Sequence, residues 1–208
     1  MSQIPVREGY EAWAASYDTN VNATRDMDAR ALIAADLPLS GARVIEAGCG
    51  TGKNTGFLAA RAANLLALDF SPAMLEVARG KIGSAHVRFA EHDITTPWPA
   101  PDGWAHVVVS NLVLEHIADI APVLKQIARV LAPGGIAYLA ELHPYRQLGG
   151  SQAKFESEAG TQLVESFAHG MADYINGAIA AGLTIMRLEE HADTDGRPRL
   201  LALTLRAK

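Results

Sequence analysis

The stretch Arg43-Val44-Ile45-Glu46-Ala47-Gly48-Cys49-Gly50-Thr51-Gly52-Lys53-Asn54-Thr55 decides the fold. It reads as a short buried strand, a turn with glycine at every second position, and the start of a helix. In an α/β sheet such a junction aims unpaired backbone N–H groups and the positive end of a helix at a ligand beyond the carboxyl edge of the strand. The plainer alternative is an ordinary turn that uses glycine for its φ > 0 positions.

Spacing narrows the ligand. A phosphate-binding loop requires a glycine five residues before the Gly-Lys pair and a Ser or Thr after it; this chain has Ala47 and Asn54 there. The dinucleotide fingerprint requires a third small residue for close helix–strand packing. Counted from Gly48 that residue is Lys53, and from Gly50 it is Thr55. What remains is an acidic strand end, Glu46, followed by Gly48, Gly50 and Gly52.

Outward from this turn, helices and strands alternate. Residues 23–37 carry apolar side chains at helical spacing and stop before Pro38. Residues 56–63 continue the helix after the turn, and Leu65 to Leu68 form a buried strand ending in Asp69. Ser71 and Pro72 open the next helix as N-cap and first residue. Strands follow over 86–90, 105–110 and 136–141, with a helix over 115–131 that Pro133-Gly134-Gly135 stops. A helix over 171–181 precedes two strands, 183–191 and 200–206, around Asp195-Gly196. This order predicts a Rossmann-like, doubly wound, mostly parallel seven-stranded sheet with an antiparallel C-terminal hairpin, in an αβα sandwich. Asp69, about 20 residues past the first glycine at a carboxyl strand end, suits the two hydroxyls of an adenosine ribose.

With 208 residues, 49% of them hydrophobic, the chain suffices for one domain over 1–208. The net charge of −5 and the lack of a Lys/Arg cluster argue against a nucleic acid partner and favour a small, neutral or cationic substrate. Cys49 is the single cysteine, which rules out an internal disulfide and suits a reducing cytosol. Without a leader-like stretch or a run of about 20 apolar residues, the expectation is a cytoplasmic protein that does not enter membranes. His86, His92 and His106 lack metal-ligand spacing, so no metal is expected.

Glu46 with its three glycines, Asp69, the pair Asp93-Ile94, the run Ser110-Asn111-Leu112-Val113-Leu114-Glu115-His116-Ile117 and the turn Leu131-Ala132-Pro133-Gly134-Gly135 together resemble the class I S-adenosylmethionine-dependent methyltransferases, in particular the type 11, ubiquinone-biosynthesis-like small-molecule group. The resemblance covers residues 44–140 in order and spacing. It implies S-adenosylmethionine as cofactor and S-adenosylhomocysteine as product. It also implies that the glycine turn and Ala47 approach the methionyl end, that Asp69 and Phe70 meet the ribose, and that Asp93 and Ile94 hold the adenine. Asn111 and Leu112 would lie near the methionyl group. The segment with Tyr10, Trp13, Tyr17 and Asn22 resembles the family's N-terminal helices, here residues 1–37, which cover the cofactor. Tyr17 would touch the methionyl group and Arg25 would neutralise its carboxylate; the alternatives are plain packing and a solvated face. Cys49 is read as a small packed side chain or as a thiolate at a helix N-terminus.

Methyl transfer from a sulfonium requires alignment and exclusion of water, and a base only when the nucleophile must lose a proton. His143 follows the fifth strand with Tyr145 and Arg146 beside it, and Pro144 would keep its backbone extended. His143 and Tyr145 are therefore the catalytic candidates; the alternative for His143 is to satisfy a backbone group at a strand end. Glu115 is read as a helix-dipole partner. Residues 145–170 form an inserted substrate lid, in which 161–167 can form a strand. With Tyr10, Trp13, His116, Arg146, Phe155, Phe167 and His169 as the substrate-site residues, the lid either lines the acceptor pocket or packs as a small satellite core. Two rivals stand beside methyl transfer: a nicotinamide-dependent oxidoreductase and a catalytically silent activator or scaffold. The expected partner is a small-molecule acceptor, in a monomer or homodimer.

Overall fold

The computed structural model describes residues 3–157 and 160–208. Their elements, in chain order, are β1 (Gln3–Ile4), α1 (Val6–Trp13), α2 (Ala23–Ala34), β2 (Arg43–Ala47), α3 (Thr55–Ala59), β3 (Asn64–Asp69), α4 (Pro72–Lys81), β4 (Val87–Glu91), β5 (Ala105–Asn111), α5 (Ala121–Val130), β6 (Leu131–Leu142), α6 (Pro144–Leu148), β7 (Lys154–Ser157), β8 (Gly160–Val164), α7 (Met171–Ala180), β9 (Thr184–Ala192) and β10 (Pro198–Arg206). Seven strands form one sheet in the order β4-β3-β2-β5-β6-β10-β9. The pairs among β4, β3, β2, β5 and β6 are parallel, whereas β10 runs antiparallel to both β6 and β9. The expected fold class is the one observed.

Alternation along the strands divides the core. Val44 of β2, Leu65 of β3 and Val107 of β5 pack with Leu32 of α2 and Leu58 of α3. Their neighbours Ile45, Leu66 and Val108 face the other way, onto Leu124 and Ile127 of α5 and Tyr174 of α7. Successive side chains on a strand point to opposite faces, so a continuous apolar run is what a sheet covered on both sides demands. The chain leaves β2 toward β3 on one side and reaches β5 on the other. The carboxyl ends of β2 and β5 thus flank the switch point where ligands bind in open α/β sheets.

Three local expectations change. The helix expected over 115–131 begins only at Ala121, because Leu114–His116 form a separate 3₁₀ turn. Buried Glu141 holds that turn, its Oε1 accepting the Val113 and Leu114 N–H groups at 3.3 and 3.1 Å. The helix after the glycine turn ends at Ala59 rather than Ala63. The strand expected over 161–167 is the shorter β8, which pairs with β7 and also, in parallel, with β1. This second sheet packs through Phe155 and Val164 onto Trp13 of α1. Residues 3–17 and the insertion are therefore parts of one cap. Among the described residues, no helix is long and apolar enough to cross a membrane.

Candidate functional site

The glycine turn closes onto the end of β3. Gly48 and Cys49 donate their N–H groups to the Leu68 carbonyl at 2.8 and 2.9 Å. Gly48 sits at φ +78°, and a Cβ there would come 2.1 Å from Val113 Cγ2. No side chain fits. Gly50 adopts φ +51° and donates its N–H to Asp69 Oδ2 at 2.8 Å, while Oδ1 accepts the Ser71 N–H at 2.9 Å. Burial raises the Asp69 pKa and the backbone N–H groups oppose that shift. Each oxygen keeps a lone pair for a hydroxyl donor. Gly52 serves helix packing instead, since its φ is +81° and its missing Cβ makes room for Ile82 and Ala78 of α4.

Below the turn lie buried carboxyls. Thr55 Oγ1 donates to Glu46 Oε2 at 2.6 Å, and burial pushes the Glu46 carboxyl up to about 8, so it is neutral near pH 7. Asp28 of α2, 3% exposed, accepts hydrogen bonds from Asn54 Nδ2 at 2.9 Å and from Asn111 Nδ2; burial lifts it to about 6. It joins the turn after β2 to the end of β5, and the sequence reading missed it. Its one signal was a charge sharing a helical face with Ala31 and Leu32. Asn111 Oδ1 is left without a partner among the described residues. Leu112 follows at φ +57°, a conformation that costs leucine about 1–2 kcal/mol, and its N–H is held by the Ala140 carbonyl.

These groups surround a cavity of about 530 Å³. Tyr17, Arg25, Glu46, Gly48, Gly50, Asp69, Phe70, Asp93, Ile94, Asn111 and Leu112 all line it; Ala47 and Gly52 do not. Asp93 closes an Asx turn on Thr95, with Oδ1 accepting from Thr95 N and Oγ1 at 2.9 and 2.7 Å. The cap supplies the roof. His116 Nδ1 lies 2.8 Å from the Glu165 carbonyl, which can only accept, so that nitrogen carries the proton; Nε2 then accepts the Tyr10 hydroxyl at 2.8 Å. Burial holds His116 below its ordinary pKa, in keeping with a neutral ring. Asp18 fastens the loop after α1, accepting from Thr51 Oγ1 and Lys81 Nζ, each at 2.7 Å.

A second cavity of about 920 Å³ adjoins the first through Tyr10, Tyr17, Arg25 and Leu112, which line both. Trp13, Phe155, Glu115 and Leu142 are among its other walls. Arg25 does not simply offer its guanidinium to a ligand. Nη1 and Nη2 donate to the Tyr17 and Asn20 carbonyls at 2.6 and 2.9 Å, and the guanidinium lies 4.0 Å from the Tyr17 ring centroid.

Several expected site residues lie elsewhere. His143 lines neither cavity. It is the N-cap of α6, its Nδ1 accepting the Tyr145 N–H at 3.1 Å and its Nε2 lying 2.8 Å from Glu190 Oε1. Tyr145 is 53% exposed and also lines neither. Arg146 is spent on Asp193 and the Pro198 carbonyl, tying α6 to the terminal hairpin. His169 Nε2 donates to the Leu114 and Ile117 carbonyls at 3.1 and 2.8 Å, pinning the insertion to the 3₁₀ turn from outside the cavities. Phe167 and His116 line the first cavity, Trp13 and Phe155 the second, and Tyr10 both. Cys49 is buried, which pushes its thiol well up and leaves it a packed, unreactive side chain.

Residues 45–139 match the family model described as a methyltransferase domain, type 11. An uncharacterized methyltransferase of Emericella nidulans is 29% identical over 221 residues, covering 87% of this chain and 76% of that protein. The trans-aconitate 2-methyltransferase of Methylobacterium radiotolerans is 39% identical over 120 residues, covering 54% of this chain and 45% of its own. The chain thus spans about half the length of that relative. Among solved structures, the N-methyltransferase NodS from Bradyrhizobium japonicum, in complex with S-adenosylhomocysteine, superposes with a TM-score of 0.76 at 18% identity, over 97% of this chain and 98% of that one. This is a likeness of fold. The matched segment contains the glycine turn, Asp69, Asp93 and Asn111, and over it the chain is similar to S-adenosylmethionine-dependent methyltransferases.

Proposed function

We propose that the first cavity binds S-adenosylmethionine and that the protein transfers its methyl group to a small molecule seated in the second. The observation that carries this reading is the pairing of Gly50 N–H with Asp69 Oδ2 beneath a turn where Gly48 leaves no space for a side chain. The charge balance supports it. Asp28, Asp69, Asp93 and Asp119 line the cavity beside a neutral Glu46, against only Arg25 and Lys53 among the described residues, and Lys53 is already paired with Asp26 at 2.6 Å. A cationic sulfonium cofactor fits such walls; the pyrophosphate of a nicotinamide dinucleotide does not. The unpartnered Asn111 Oδ1 is a further acceptor at the end of the cavity where Asp28 and Asn54 meet.

When bound, the cofactor supplies a methyl group already activated by its positive sulfur. The chain's own work is to hold and to shield. Asp69 is suited to accept two hydroxyls, and Asp93 and the Ile94 N–H to read an adenine edge. The Tyr10–His116–Glu165 chain keeps the cap closed over the cavity and water out. A proton acceptor, where the acceptor needs one, has to come from groups facing the second cavity, which His143 does not. Calorimetric titration with S-adenosylhomocysteine and with NAD tests the reading: the first is expected to bind and the second not. NAD binding without a response to S-adenosylhomocysteine would overturn it.

A further inference from the structure

Trp13, Arg25 and Glu115 line the second cavity, are 3%, 7% and 6% exposed, and each carries a polar atom with no hydrogen-bond partner among the described residues. The atoms are Trp13 Nε1, Arg25 Nε and Glu115 Oε2. Buried polar groups without partners are rare because each has lost its water for nothing. Three around one cavity point to an occupant that supplies what they lack: acceptor atoms for two N–H donors and a hydrogen for a carboxyl oxygen. Among the described residues, no other group answers for Glu115. Its Oε1 lies 3.8 Å from His116 Nε2, which already takes the Tyr10 hydroxyl, and Phe167 N–H binds its backbone carbonyl rather than its side chain.

The walls define the occupant's shape. Tyr10 stacks on Trp13 with centroids 5.9 Å apart and Trp13 on Phe155 at 5.3 Å, with Tyr17 edge-on to Trp13 at 4.8 Å. Such rings favour a flat, aromatic guest. An alkylammonium guest would add a cation to a cavity already lined by Arg25, Lys154 and Arg199 against Glu115 and Glu156. A phenol brings no charge and has a proton acidic enough for a carboxyl that burial has brought to about 7. We propose that the second cavity takes a phenol-class methyl acceptor, whose hydroxyl meets Glu115 Oε2 and whose distal oxygen meets the Trp13 and Arg25 N–H groups, and that Glu115 removes the hydroxyl proton.

This rests on the first cavity's holding the methyl donor. The O–H bond breaks with its proton passing to Glu115, the oxygen's lone pair forms the bond to the methyl carbon, and the electron pair of the broken C–S bond stays on sulfur as a neutral thioether. The methylated product then has no hydrogen for Glu115, and its release follows from that loss.

The test uses the full chain saturated with S-adenosylhomocysteine and two probes, 4-nitrophenol and 4-nitroanisole, which share the ring and the distal oxygens and differ in the phenolic hydrogen. Fluorescence quenching or calorimetry is expected to show 4-nitrophenol binding about tenfold more tightly, because only it satisfies Glu115. Glu115→Met is expected to bring the two probes level, and Trp13→Phe to weaken both by a similar factor while preserving their ratio. Should Glu115→Met fold poorly, Glu115→Gln, which keeps the shape and loses the charge, is expected to cut the ratio about threefold or more. Equal affinity of the two probes for the unaltered chain, or a ratio that survives Glu115 substitution, overturns the proposal. Failure to bind S-adenosylhomocysteine at all overturns the donor reading instead.

Discussion

The end of the sheet beneath the first cavity and the cap above it are built by different means. In the sheet, the ligand-facing groups are set first by local devices, a glycine at positive φ, a carboxylate closing a strand, the next backbone N–H, and are then joined to the neighbouring strand end, as Gly50 is to Asp69. In the cap, contacts join residues far apart in the chain, such as Gln3 with Leu163 in the small sheet, Trp13 with Phe155, and Tyr10 with His116. The first kind of site tolerates almost no change at one residue, and the second depends on many residues moderately.

The largest effect expected from that difference is at Gly48. Gly48→Ala places a methyl group 2.1 Å from Val113 Cγ2 on a backbone at φ +78°. The left-handed conformation costs about 1–2 kcal/mol and the overlap about 1–3 more, so denaturant unfolding should show roughly 3 kcal/mol of lost stability. S-adenosylhomocysteine binding should fall below detection, since relief of the overlap must move the turn or the segment after β5. Retained affinity would mean that the turn is more plastic than the rest of the sheet end.

A second expectation separates the regions by pH. The buried carboxyls raised by burial lie under and between the cavities: Asp28 to about 6, Glu115 to about 7, Glu46 to about 8. Each is more easily protonated folded than unfolded. Each therefore adds stability at low pH that is lost as pH rises from the ordinary carboxyl range through its raised value. His116, lowered by burial, acts in the opposite sense below its ordinary value of 6.5. The window from about pH 6.5 to 8 is thus one in which these carboxyls act without His116, and unfolding free energy should drop there by about 2–3 kcal/mol. Glu46→Gln should flatten the upper part of that slope. A profile that rises across the window would show Glu46 and Glu115 to be charged in the folded protein.

The same difference explains what could be read from the sequence. The strand Arg43–Ala47, the Ser71 N-cap and Asp69 at the end of β3 rest on local rules, and the structure has them as expected. The small sheet could not be read that way: β1 has two residues, too few for a period, and its partner β8 lies about 160 residues away. Asp28 and Glu115 are ordinary acidic residues on helical segments until the fold removes their water. Glu115 in particular reads as the partner of a helix dipole that does not exist at that point, because the 3₁₀ turn ends at His116 and α5 begins at Ala121.

His143 is the sharpest test of where the line between the regions falls. A histidine just past a strand at the sheet's carboxyl edge has the right address for a base, but Pro144 stands at the first position of α6, as Pro72 does in α4. The residue before such a proline is an N-cap, and His143 fills that place as Ser71 does in the other helix. His143→Ala should therefore cost about 1 kcal/mol of stability, the worth of a cap, with little added from Glu190, which is half exposed and screened. Affinities for S-adenosylhomocysteine and for 4-nitrophenol should stay within about twofold of the unaltered chain, since the side chain reaches neither cavity. A loss of 4-nitrophenol affinity with stability unchanged would return His143 to the acceptor site and show that α6 moves toward the second cavity when a guest binds.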